Sequence, residues 1–194
     1  MTFMGRAKEF EREHALERAM YVFWSKGYEG ASIPDLIQHM GISRSSLYET
    51  YGDKQALFLE TLSYYKMKGE KKRDLLRNAS SAKKGLRDYF EWHINDAINE
   101  SLPGGCMITN TAISLDHCHE QVRDLVQERF DSLAEEFYRL IERGKQSGEI
   151  SSHKDARKLA NLLLGLNHGI GVMARVTKDA QVLENMMEEA IELL

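Results

Sequence analysis

Apolar residues recur at helical spacing along almost the whole chain. The first stripe is Leu16, Ala19, Met20, Phe23 and Trp24, at i, i+3, i+4, i+7 and i+8. It stops at Lys26-Gly27, a basic last turn followed by a glycine suited to a left-handed cap. "ASIPDLIQHMG" then offers a new start: Ser32 can cap, Asp35 can complete a capping box, and Pro34 is tolerated in a first turn. Gly41 ends that helix after about two turns. Ser43 caps the next, Arg44 to Tyr51, and Gly52-Asp53 breaks and recaps. Lys54 to about Arg77 reads as one long helix carrying Leu57, Phe58, Thr61, Leu62 and Tyr65 on one side. Leu86, Tyr89, Phe90, His93, Ile94 and Ala97 mark the following helix, which "SLPGGC" interrupts. A helix restarts near Cys106 and runs to about Leu115, and a long amphipathic one spans His119 to Lys145. Two strongly apolar helices, about Lys154 to Val176 and Asp179 to Leu194, complete the chain. The reading is all-α with about nine helices.

Composition sharpens this picture only modestly. The 194 residues include two prolines and two cysteines, too few of the latter for a disulfide scaffold. Charges recur from Arg6 onward, and no apolar run is long enough for a membrane span. A cytoplasmic protein with no membrane partner is expected. The net charge is −4, and residues 1–54 carry seven Lys/Arg against eight Asp/Glu. A high-pI signature of nucleic-acid binding is therefore missing, and any such function must rest on how particular residues are arranged.

Such an arrangement stands at "MGISRSSLYETYGDK". Two short helices joined by a tight turn at Gly41, after a longer supporting helix, describe a helix-turn-helix. In that unit the second short helix enters the DNA major groove. Ser43, Ser45 and Ser46 then serve as hydroxyl donors to phosphate, beside backbone N–H groups at a helix start. Arg44 is the residue of that helix able to make a bidentate contact to guanine. Tyr48 and Tyr51 can reach the backbone with a hydroxyl while their rings pack inward, and Lys54 adds a phosphate contact. A hydrolase elbow would need Gly-x-Ser-x-Gly after a strand, and neither is present.

Across residues 5–65, "ALERAMYVFWSKGYEGASIPDL", the turn "HMGIS" and "SLYETYGDKQALF" together resemble the DNA-binding domain of TetR-family transcriptional regulators. The resemblance implies a homodimer on a palindromic operator, released by a small-molecule inducer, with repression as the usual outcome. It divides the chain into residues 5–65, which bind DNA, and residues 66–194, which bind ligand and dimerise. It carries the DNA contacts to Ser32, Ser43, Arg44, Ser45, Ser46, Tyr48 and Lys54. Glu49 falls where family members vary. The usual inducer site implies a pocket drawing on Phe58, Tyr65, Phe90, His93, Cys106, Met107, Thr109, Asn110, Phe130 and Phe137. No cofactor is implied.

The last two helices suggest a dimer interface. Leu159, Leu162, Leu163, Leu166, Ile170 and Met173 form a wide apolar band, with Gly165 and Gly169 permitting close approach of a second backbone. Met186, Met187, Ala190 and Ile191 offer a matching band on the final helix. Cys106, after two flexible glycines and near a helix start, is a candidate redox or electrophile sensor, and "GGCMITNTA" resembles one branch of the family with a cysteine there. If one helix joins it to Cys118, twelve residues rise about 18 Å, beyond disulfide reach.

Other constellations carry less. "DHCHE", residues 116–120, holds zinc-ligand types, but neighbours on a helix point about 100° apart. Glu11-x-x-His14 is a single copy of a pair that di-iron bundles use twice. His93 and His168 lie on apolar-rich faces, where most histidines are hydrogen-bonded core residues. The competing classes, a helical-bundle enzyme and an adaptor without DNA binding, leave Arg44 and Lys54 unexplained, and the enzyme lacks a convergent acid–base or metal set.

Overall fold

The computed structural model describes residues 3–115 and 120–194, with side chains from residue 12 onward. Among these residues it has ten helices and no strands: α1 Phe3–Gly30, α2 Ile33–Met40, α3 Arg44–Tyr51, α4 Lys54–Lys68, α5 Glu70–Arg77, α6 Ala82–Ile98, α7 Met107–Ile113, α8 Glu120–Gln146, α9 Ala156–Met173 and α10 Ala180–Glu192. The helical geometry of α1 is interrupted at Gly27, where φ is 69°. The expected 54–77 helix is in fact two, α4 and α5. At Gly69 the N–H is shared between the Tyr65 and Lys66 carbonyls, each at 3.1 Å, and the chain leaves one helix axis for another. That break lets α5 pack Arg73 and Leu76 inward.

Two apolar clusters organise the bundle. One gathers Leu16, Met20 and Phe23 of α1, Leu36 of α2, Leu47 of α3 and Leu57, Phe58 and Leu62 of α4. It continues past the first four helices onto Cys106, Met107 and Ile108 and onto Val122 and Val126 of α8. The other joins Leu86, Phe90 and Ile94 of α6 to Phe137 and Ile141 of α8, Leu163 and Ile170 of α9, and Leu183 and Met187 of α10. Both clusters follow the apolar stripes read from the sequence, because each amphipathic helix buries its apolar face against its neighbours.

The "PGGC" loop departs from expectation. Gly104 and Gly105 have φ of 84° and 64°, yet they are tightly packed rather than loose. A Cβ on Gly105 would stand 2.5 Å from the Gly171 carbonyl oxygen on α9. The Gly105 N–H donates to Ala97 O at 3.0 Å, and the Trp24 indole N–H donates to Gly104 O at 3.1 Å. These glycines allow close approach between backbones, which fixes Cys106 in place.

Candidate functional site: nucleic-acid interface and internal cavity

The α2–α3 unit is set by its caps. Ser32 Oγ accepts from the Asp35 N–H at 3.1 Å, and Asp35 accepts in return from the Ser32 N–H at 3.2 Å, a complete capping box. Lys26 pairs with Asp35 at 2.8 Å, and this contact together with the Ser32 bonds lowers the Asp35 pKa to about 2. α2 ends at Gly41 with φ 69° and ψ 30°, a left-handed conformation a Cβ disfavours. Ser43 Oγ then caps α3 by accepting from the Ser46 N–H at 3.1 Å, and the Ser45 and Ser46 hydroxyls lie 2.9 and 2.8 Å from it. Leu47 is fully buried while Arg44, Ser45, Tyr48 and Glu49 face outward. α3 thus presents a guanidinium, a phenol and a knot of hydroxyls around its N-terminal N–H groups. Arg44 rests 5.9 Å from the Tyr48 ring, and Lys54 Nζ sits 4.5 Å from the Tyr28 ring.

Tyr51 differs from the other expected contact residues in being buried. Its hydroxyl donates to the Arg12 carbonyl at 3.4 Å, anchoring α3 to α1. It positions the interface and presents no free hydroxyl.

A cavity of about 300 Å³ lies where α1, α4, α5, α6, α8 and α9 meet the "PGGC" loop. Of the expected ligand residues, Tyr65, His93, Cys106 and Phe130 line it. Phe90 and Phe137 do not: both are fully buried, stacked 5.8 Å apart inside the second cluster. Phe58 packs in the first cluster and Met107 is buried beside it. Asn110 turns toward Gly104 O at 3.5 Å, and Thr109 meets His168 Nδ1 at 2.9 Å.

Sequence reading missed much of the wall: Trp24, Lys72, Arg73, Tyr89, Trp92, Arg129 and Asn167. Two carried a visible signal. Arg129 occupies a position on the α8 stripe between Val126 and Leu133, and Asn167 interrupts the α9 band between Leu163 and Ile170. A polar residue on an apolar stripe needs a buried partner. Asn167 finds the Tyr89 hydroxyl at 3.0 Å. Lys72 and Arg73 became visible only once α5 swung inward at Gly69.

The geometry assigns the His93 proton. Nε2 lies 2.9 Å from the Asn167 carbonyl, which can only accept, so Nε2 carries the hydrogen. Burial and the Lys72 charge lower its pKa to about 3, leaving the ring neutral. Nδ1 therefore accepts from Lys72 Nζ at 3.3 Å. His168 is also held neutral by burial, with a pKa of about 4, and stacks on Phe130 at 4.0 Å. Tyr65 donates its hydroxyl to Cys106 Sγ at 3.5 Å. Cys118 and residues 116–119 of "DHCHE" lie outside the described residues, as does the Glu11 side chain.

The dimer expectation divides. Leu163, Ile170, Met187, Ala190 and Ile191 are buried within their own subunit, because α9 and α10 pack against α6, α8 and each other. On α9 the exposed apolar residues are Leu162 and the unanticipated Val172, followed by Val176 just past the helix end, whereas Leu159, Leu166 and Met173 are half-buried against the second cluster. Val182 on α10 and Leu193 just past it are also exposed, and Met186 is half-buried against the second cluster. A Cβ on Gly165 or Gly169 would meet nothing within 4 Å.

Among the described residues no helix is long and apolar enough to cross a membrane. Residues 15–61 match the family described as bacterial regulatory proteins, tetR family, and residues 82–190 match the tetracyclin repressor-like C-terminal domain. The HTH-type transcriptional regulator YezE of Bacillus subtilis (strain 168) is 34% identical over 98% of this chain and 100% of its own. The HTH-type transcriptional repressor ComR of Escherichia coli (strain K12) is 28% identical, over 96% of this chain and 88% of its own. A solved structure of the TetR family transcriptional regulator CifR, a cysteine mutant complexed with 26-bp double-strand operator DNA, superposes with a TM-score of 0.84 at 30% identity. The match covers 93% of this chain and 95% of that one. With matches running through both halves, this chain belongs to the TetR family of helix-turn-helix transcriptional regulators.

Proposed function

We propose that this chain is a ligand- or stress-responsive transcriptional repressor that binds a palindromic operator as a homodimer. Residues 5–65 carry the DNA contacts and residues 66–194 carry ligand binding and dimerisation. The single observation behind the reading is the outward face of α3. A capped helix start presents Arg44, Ser45 and Tyr48 away from the core, with no internal role for the Arg44 side chain beyond its stacking on Tyr48. Arg44 reads a base edge, while Ser32, Ser43, Ser45, Ser46, Tyr48 and Lys54 fix the helix on the phosphates. The operator complex of CifR supports this reading.

The exposed apolar stripes of α9 and α10 form the dimer contact, a four-helix interface whose two-fold axis sets the α3 pair about 34–36 Å apart, on successive major grooves. The cavity takes the inducer, and its occupancy changes how far the two α3 helices stand apart. Cys106 lines that cavity and is the point at which an electrophile or oxidant acts. The protein works in the cytoplasm, where its operator lies.

The test is binding of the purified chain to inverted repeats in the intergenic DNA beside its gene. A complex with two chains per repeat, lost on adding Glu at Leu162 and Val176, is expected. Tight specific binding by a sedimenting monomer would overturn the dimer reading. Cys106→Ser should keep operator affinity and lose the response to peroxide or electrophiles. An identical response in both proteins removes Cys106 from the mechanism.

A further inference from the structure

The charged wall of the cavity has a gap that a ligand can fill. Glu70 and Glu136 are the acids that pair with the arginines of this wall, and both are already engaged by Arg77, at 2.8 and 2.6 Å. Arg73 also draws on Glu136, at 2.7 Å, and donates to Ser132 Oγ at 2.8 Å. Arg129 is left with Glu70 Oε1 at 3.8 Å, and its buried Nη1 has no hydrogen-bond partner. His168 Nε2 is likewise buried without one. Lys72 has no carboxylate within ion-pair distance among the described residues. It donates to neutral His93 and lies 5.5 Å from the Tyr89 ring. Asp96, the one acid lining this cavity, lies outside ion-pair distance of Lys72, and burial raises its pKa against the opposing pull of the Lys72 charge. Burying an ammonium and a guanidinium with so little compensation disfavours their charged forms, as the lowered pKa of each records.

Much of the remaining wall is aromatic, from Trp24, Tyr65, Tyr89, Trp92 and Phe130, with Met20, Leu102 and Leu133 beside them. A volume of about 300 Å³ accommodates one or two rings and a short polar group. We propose that the cavity binds a small aromatic carboxylate, its ring among these side chains and its carboxylate between Lys72 and Arg129. The carboxylate supplies the missing anion, and charge-assisted bonds to Arg129 and Lys72 select it over a neutral analogue of the same shape. This names the inducer's chemical class, and it rests on the cavity being the inducer site.

Calorimetric titration of the full-length protein with 2-naphthoate and with its neutral isostere 2-naphthamide, without DNA, tests the class directly. The carboxylate should bind at least about tenfold more tightly, the gain expected of one desolvated charge-assisted hydrogen bond. Lys72→Met and Arg129→Met should each shrink that preference while leaving amide affinity in place. Should Arg129→Met fail to fold, Lys72→Met, which breaks no ion pair, carries the test. Equal affinity for the two probes, or a preference unchanged in Lys72→Met, overturns the proposal. So does the failure of 2-naphthoate, benzoate and 4-phenylbutyrate all to bind at millimolar concentration. A clear carboxylate preference that leaves operator affinity unchanged would uphold the ligand class and overturn the inducer reading instead.

Discussion

The α2–α3 unit and the cavity wall are built from bonds of different reach. The caps of α2 and α3 join residues three apart in sequence. The cavity wall is tied by bonds that join residues 63, 74 and 78 apart: Arg73 to Glu136, His93 to Asn167, and Tyr89 to Asn167. The first region is specified turn by turn and offers its chemistry to solvent. The second exists only when helices far apart in sequence arrive together, and most of its polar groups are buried. Bonds within one helical turn set the ends of α2 and α3, while Leu36 and Leu47 dock the unit into the first cluster. The inducer site proposed above is the cavity, where these distant helices meet.

The sharpest way to break this contrast is a cut into the packing behind the cavity. Phe137→Ala removes a fully buried ring that stacks on Phe90 and meets Tyr89 edge-on. It should cost about 3–5 kcal/mol of unfolding free energy, read by denaturant titration. If the loss is under about 1 kcal/mol, the enclosed region is not held as described. On the outward face, Arg44→Ala should leave stability unchanged and remove about 1–3 kcal/mol of discrimination between operator and random DNA. Equal losses on both duplexes would reassign Arg44 to the phosphates.

The histidines of the cavity wall give an effect of intermediate size. Both His93 and His168 have folded pKa values below the ordinary value of about 6.5, so the unfolded chain binds protons that the folded chain refuses. Stability is therefore full above about pH 6.5 and falls as pH drops through 6 and 5. His93→Gln should flatten that fall by about one proton, or about 1.4 kcal/mol per pH unit. Unfolding curves at pH 7, 6 and 5 with unchanged slope would show that His93 is protonated in the fold.

The cap of α2 provides the smallest change. Ser32→Ala should cost about 1 kcal/mol of stability, because the Asp35 N–H loses its acceptor while Lys26 keeps Asp35 in place. Lys54→Ala should weaken operator and random DNA alike and reduce the salt slope by about one. Were the Lys54 loss confined to operator DNA, the distinction between reading and positioning residues in this unit would fail.

The helix-turn-helix was legible because its signals are local. Ser32, Asp35, Gly41, Ser43 and Asp53 each act on a backbone group within a turn, and the ends of α2 and α3 fall where those residues place them. Tyr51 was ambiguous because a tyrosine on the inner face and one on the outer face leave the same mark in sequence; in the fold its hydroxyl donates to Arg12 O, 39 residues away. In the cavity the aromatic character was legible and the charged wall was not. Lys72 and Arg73 carry no apolar mark within the expected 54–77 helix, and the chain breaks at Gly69 before α5 buries Arg73. The same limit applied to α9 and α10, where a band wider than one face gave no sign of which edge would stay exposed.

Helical periodicity, caps and the turn at Gly41 were determined by the sequence itself, since each arises from hydrogen bonds and side-chain directions within a few residues. The tertiary structure decided which polar residues share an enclosed space. Glu70 and Glu136 are shared among Arg73, Arg77 and Arg129 because α5 and α8 meet there. Desolvation at that meeting point keeps His93 and His168 neutral and leaves Arg129 short of a partner. Burial and charge neighbourhood depend on elements far apart in the chain, and packing alone brings them together.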